Sequence, residues 1–291
     1  MPLYYLIPVG TALLYALGAV CIKRSTNDGV GPWRTTFITN LFLFACAQPF
    51  WFFGSPIESV SQLGAPFAIS ITFLIGQLTT CLSIHHGDVS VATPILGTKP
   101  ILIGLIAGFF FGQPLGATVW VGAVLSAVAI LLLRGNTPAE KSRLLPSILL
   151  GLASSFFFSI NDTFMQVFGS SLGFEKSVAT IFTFLGILNL GIVPLTSGPV
   201  FKIPKTARNW LLIGSFFNAS QGIIMATTIT HFGNAAILNI IYGSRGAMSI
   251  AIIWLFGHYF ANQERDLGKR ILLRRFIGSL LLIAAIVFAV T

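Results

Sequence analysis

Charge is what this chain has least of. Charged residues fill 9% of its 291 positions, against roughly a quarter in a soluble globular domain. So few cannot coat a water-facing surface, which excludes an ordinary soluble enzyme or binding domain. Cysteine is scarce too. Cys21, Cys46 and Cys81 all lie in apolar runs, without C-x-x-C spacing or a His at a metal-ligand interval. They read as small packing residues, and no metal site is expected. There is no Walker motif, no H-E-x-x-H, no G-x-S-x-G and no facing aspartyl pair. Direct use of ATP and the common hydrolytic chemistries are therefore not expected, and neither is a cofactor. The start, Met1-Pro2-Leu3-Tyr4-Tyr5, lacks a basic region and a small-residue cleavage site, and reads as a retained helix.

What is present is apolar. Hydrophobic residues make up 55% of the chain, and the mean hydropathy is +0.87. The solvent is then lipid, where every backbone group must be satisfied internally, so only helices or closed barrels are possible. Runs of about 20 residues fit helices better than the ~10-residue strands of a barrel. Ten spans are expected: 3–22, 33–53, 66–86, 89–111, 116–133, 145–167, 177–197, 209–231, 235–258 and 271–290. The fold class is an all-α integral membrane protein. The net charge of +9 is explained by basic cytoplasmic loops, with no nucleic-acid partner needed.

The two halves of the chain resemble each other. His85-His86-Gly87-Asp88 aligns with His231-Phe232-Gly233-Asn234, and Gly97-Thr98-Lys99 with Gly243-Ser244-Arg245, all at an offset of 146. Pro49 and Pro194 match at 145. The expected division is a five-helix repeat over 1–135, a polar connector over 136–144 and a second repeat over 145–291. Five is odd, so the second half enters the membrane from the other side. That gives an inverted-topology repeat, which suits alternating access. The connectors after spans one, five, seven and nine carry 14 of the 17 basic residues; the opposite side carries Lys176. By the positive-inside rule both termini are non-cytoplasmic.

Lys99 and Arg245 each lie 11 residues into a span, about 16 Å deep in a ~30 Å core. A cation there is a functional-site candidate by default. The pair could hold an anionic group, or be neutralised inside the protein. Asn239, Tyr242 and Arg245 share one side of span nine, so Asn239 and Tyr242 are candidate substrate contacts. Gln77 in span three and Asn218 and Gln221 in span eight form polar stripes that either line a cavity or tie helices together. Asp162 could pair with Lys99 or Arg245, take a coupling proton, or reach the interface. His231 is a second coupling candidate. The sequons at Asn161 and Asn218 fall inside helices and are discounted. Gly122, Ser126 and Ala129 make a small-residue face for close packing or a homodimer.

Thr93-Pro94-Ile95-Leu96 through Gly112-Gln113-Pro114, then Val121-Gly122-Ala123-Val124-Leu125 to Leu133, resembles the paired fourth and fifth helices of the drug/metabolite transporter superfamily, especially its EamA-like members. The resemblance implies a ten-helix transporter. In the related triose-phosphate and nucleotide-sugar transporters, basic residues on the fourth and ninth helices help bind phosphate, and Lys99 and Arg245 stand on similar helices. It also implies cytoplasmic termini, opposite to the loop charges. The expected function is a secondary transporter of a small polar, anionic solute in the cell (inner) membrane, with membrane lipid as its other partner. The alternatives are a carrier of neutral or zwitterionic solutes such as amino acids, or a non-transporting scaffold or lipid scramblase.

Overall fold

The computed structural model describes residues 2–86, 96–133, 141–256 and 269–290. Every regular element among them is helical. We number the α-helices α1 (Ile7–Asn27), α2 (Pro32–Ala47), α3 (Gly64–His86), α4 (Lys99–Phe111), α5 (Ala117–Leu133), α6 (Lys141–Phe168), α7 (Gly173–Asn189), α8 (Lys205–Phe232), α9 (Ala235–Tyr242), α10 (Arg245–Phe256) and α11 (Lys269–Val290). Five stretches are long and apolar enough to cross a membrane: Leu3–Asn27, Val60–Ser83, Ile148–Phe168, Gly173–Leu195 and Lys205–Phe232; Leu96–Phe111 and Ala117–Ala129 are shorter apolar helices. The chain is an integral, multi-pass membrane protein.

Local sequence sets the ends. Pro32 and Pro100 stand in the first turns of α2 and α4, where a missing N–H costs nothing. Gly112 ends α4 in the left-handed region at φ 61°. Hydroxyls within helices bond back one turn, as Thr163 does to the Ser159 carbonyl and Thr230 to that of Ala226. This satisfies them where no water reaches. Large apolar side chains such as Phe109 and Phe110 lie exposed on the outside, where lipid takes the place of water.

Several expected boundaries shift. The ninth span is not one helix: it breaks at Gly243 and Ser244 into α9 and α10. The second and seventh spans finish as 3-10 turns, Gln48–Phe52 and Leu190–Leu195, each containing one of the matched prolines, Pro49 or Pro194. A ring with no N–H cannot continue the α ladder. Helix α6 begins at Lys141, so it takes in the end of the expected connector. Residues 136–140 of that connector, the Gly87-Asp88 and Thr93-Pro94-Ile95 motifs and residues 257–268 around the end of the ninth span lie outside the described residues.

Helix α1 packs on α8, α3 on α6, α5 on α11 and α2 on α7. Small residues permit the closest approaches. A Cβ on Gly214 would lie 3.0 Å from the Gly18 carbonyl oxygen, and one on Gly122 2.8 Å from that of Ala285. The Gly122 face of α5 is therefore used inside the chain, against α11, so it offers no support for the expected homodimer.

Two ends of the bundle differ. At one, the α1–α2 and α7–α8 connectors meet: Arg34 Nη2 donates to the Ser197 carbonyl at 2.8 Å, and Phe37 packs edge-on to Phe201. Lys23, Arg24, Lys202, Lys205 and Arg208 gather at this end. At the other, Gln166 on α6 ties the α4–α5 turn to the start of α9. It donates to Gln113 Oε1 at 2.6 Å and accepts from the Ala235 amide at 2.7 Å. Tyr4 stacks on Phe232 and accepts from Asn234 at 3.1 Å. Lys176 is bound there too, donating to the Trp51 carbonyl.

Candidate solute site

Between these ends lies a cavity of about 340 Å³. Its lining includes Lys99, Arg245, Tyr242, Asn239, Gln77, Gln221 and Asn218, and also Asp162. Seven residues expected to contact a solute thus share one space. It extends toward the basic end, where Thr26, Pro32 and Thr35 contribute to its wall.

The two cations arrive by the same local device. Lys99 is the first residue of α4, directly after a 3-10 turn, Leu96–Thr98. Arg245 is the first residue of α10, directly after the Gly243-Ser244 break. Each therefore stands at a helix start, at the positive end of that helix's dipole. Each also lies over an aromatic ring from a distant helix. Lys99 Nζ is 5.3 Å from the Phe158 centroid, and the Arg245 guanidinium carbon is 4.8 Å from that of Tyr15 and 4.4 Å from that of Tyr242.

Their charges are treated differently. Lys99 Nζ pairs with Asp162 Oδ2 at 2.7 Å. The same oxygen accepts from Asn239 Nδ2 at 2.7 Å, and Asn239 also donates to the Ala235 carbonyl. Of the partners open to Asp162, the geometry pairs it with Lys99. The Ser159 hydroxyl on α6 donates to the Ser155 carbonyl at 2.6 Å and lies 3.2 Å from the Lys99 carbonyl, so α6 packs against the backbone at Lys99. Arg245 has no ion pair among the described residues. Tyr242, which carries it on one side, donates its hydroxyl to Gln221 Oε1 at 2.8 Å. Gln77 Oε1 and Asn218 Oδ1 are buried acceptors without a hydrogen-bond partner among the described residues.

Other expectations separate from this cluster. His231 is at the far end of α8, exposed between the rings of Phe174 and Phe232, and does not line the cavity. Asn161 is buried and donates to the Ile69 carbonyl, which removes it as a glycan acceptor. Among the described residues no group of three metal-ligating side chains occurs. Sequence reasoning misses Tyr15 and Phe158 as partners of the cations, and Thr35, Thr36 and Thr39 in the wall. The threonines recur at helical spacing within an apolar span, which is a readable signal. The two aromatics have none, since rings in apolar helices are usually packing.

Residues 2–135 match the model of the EamA-like transporter family. That match spans the first half of the chain. A curated relative, an uncharacterized transporter from Archaeoglobus fulgidus, is 24% identical over 135 residues, covering 45% of this chain and 48% of its own length. The match thus spans about half of the curated relative. Both the family and this relative carry the name transporter. One solved crystal structure aligns with a TM-score of 0.72 at 16% identity, over 98% of this chain and 96% of its own. At that identity it speaks for the fold alone, and it extends the fold likeness through the half beyond the EamA-like match.

Proposed function

We propose that this protein is a secondary transporter that carries a small polar anion through the central cavity by alternating access. Ten crossings would form two inverted five-helix halves, 1–135 and 145–291, with α9 and α10 counted as one interrupted crossing. Exchanging the halves turns the α1–α8 contact into the α6–α3 contact and leaves α5–α11 and α2–α7 unchanged, which supports the repeat. The matched helix starts at Lys99 and Arg245 and the paired 3-10 turns at Pro49 and Pro194 support it as well. Two similar halves can exchange roles at the two membrane faces.

One observation carries the anionic reading: Arg245 lines the cavity without a carboxylate partner among the described residues. A guanidinium at that depth is costly unless paired or wet. The rings of Tyr15 and Tyr242, set nearly perpendicular to each other, lie beside its guanidinium carbon at 4.8 and 4.4 Å, and its planar fork of N–H groups suits a carboxylate or phosphate edge. The loop charges make the basic end cytoplasmic, so the cavity faces inward and the Gln113–Gln166–Ala235 seal lies outside. Both termini are then non-cytoplasmic. The unpaired acceptors Gln77 Oε1 and Asn218 Oδ1 favour solutes that also carry N–H or O–H donors, which keeps a zwitterion as the second reading. A scaffold or scramblase would have no use for a cavity-lining cation without an ion pair among the described residues.

The test is solute exchange in proteoliposomes with anionic, zwitterionic and neutral metabolites. Exchange of an anion or zwitterion that falls at least tenfold in Arg245→Ala, with the protein still folded, supports the proposal. Exchange only of neutral solutes, or exchange unaffected by Arg245→Ala, refutes it.

A further inference from the structure

We infer that Asp162 is a built-in anion that sets the charge of the solute: by holding Lys99, it leaves Arg245 to receive one negative charge, so the cavity admits monoanions and turns dianions away. This rests on the reading of the cavity as the solute site.

The two cations are placed alike, each at the start of a helix after a break and each over a ring. Taken alone, they would suit two negative charges. The space beside Lys99 is already occupied by a carboxylate of the protein, at 2.7 Å. Lys99, Asp162 and Arg245 together carry one net positive charge. A monoanion at Arg245 brings that sum to zero. A dianion leaves one negative charge uncompensated in a region where unpaired charge is strongly disfavoured. Nor can a dianion easily displace Asp162. Its side chain is 7% exposed and is held by Asn239 as well as Lys99. An expelled carboxylate would lose both partners while still buried. Asp162 also lies within electrostatic reach of Arg245, but its contacts are with Lys99 and Asn239. A purely structural Asp162 would neutralise Lys99 in the same way. Selectivity separates the two roles, because only the built-in anion, once removed, gives back a second site for the solute's charge.

The probes are butyrate, succinate and butanediol, which share a four-carbon chain and differ in charge at pH 7. Binding is read as thermal stabilisation of the purified full chain, since a ligand of the native state raises its apparent stability. In the wild type, butyrate should bind about tenfold or more tightly than succinate. In Asp162→Asn, which frees Lys99, the order should reverse by a similar factor. A Lys99→Gln/Asp162→Asn double variant removes both charges, guards against misfolding of the single variant, and should keep the wild-type preference. Succinate bound as well as butyrate by the wild type, or an order unchanged in a folded Asp162→Asn, overturns the inference. Arg245→Ala separates the two levels. If anion binding survives there, the solute-site reading itself fails. If it is lost while the order is wrong, only the role of Asp162 fails. Stabilisation of the wild type by butanediol alone, or by none of the three, counts against both.

Discussion

Lys99 and Arg245 stand at equivalent places in two similar segments, yet they are treated in opposite ways. Lys99 is closed off by Asp162, with Asn239 holding the shared oxygen. Arg245 rests against the rings of Tyr15 and Tyr242, with no carboxylate against it among the described residues. The first arrangement spends its charge inside the protein and joins α4 to α6. The second leaves its charge available to the cavity. On the proposed reading, a duplicated framework then carries one structural and one functional cation, and a single acidic residue on α6 decides which is which.

The largest expected effect falls on stability, at Lys99. Replacing it with Ala leaves Asp162 buried against Asn239 without a counter-charge, and breaking a buried pair costs about 3–5 kcal/mol. Thermal unfolding in detergent should show a large loss for Lys99→Ala and its recovery in Lys99→Ala/Asp162→Asn. A small loss in the single variant would mean that Asp162 is not compensated by Lys99, and the contrast would break at its structural side.

The next effect falls on binding, at Arg245. Arg245→Ala removes a charge with no ion pair to abandon, so unfolding should shift by less than about 1.5 kcal/mol. Anion affinity should fall by about tenfold or more, as expected for loss of a charged hydrogen-bonding partner. Titration of ligand-induced stabilisation measures both. If Arg245→Ala unfolds the protein as badly as Lys99→Ala, the two cations are alike after all.

Much of this site is legible in the amino-acid sequence. Cations at one depth in matched segments, and polar residues such as Gln77, Asn218 and Gln221 in apolar spans, stand out because lipid makes them expensive. All of them line the cavity. Which cation Asp162 pairs with is not legible there. That depends on the rotation of α6 about its axis and on how α9 presents Asn239, and hydropathy constrains neither. The break before Arg245 is hidden as well. Gly243 signals close approach as easily as interruption, and the surrounding run Ile240-Ile241-Tyr242 is continuous in its apolar character. His231 misleads for the opposite reason. A titratable residue near a helix end is visible in sequence, but its distance from the cavity is not.

The smallest effect sharpens the contrast through the rings beneath the cations. Cation–π contacts contribute about 0.5–2 kcal/mol. Phe158 assists a Lys99 that the 2.7 Å ion pair already fixes. Phe158→Leu should therefore change anion affinity by less than about twofold, well below the full value of such a contact. Tyr15 is one of two groups holding Arg245 in register. Tyr15→Leu should weaken anion binding by about threefold to tenfold, whereas Tyr15→Phe, which keeps the ring, should stay within about twofold of the wild type. Ligand titrations of the three variants decide it. Equal losses at Tyr15 and Phe158 would mean that both cations meet the solute, and Lys99 would then rejoin the site.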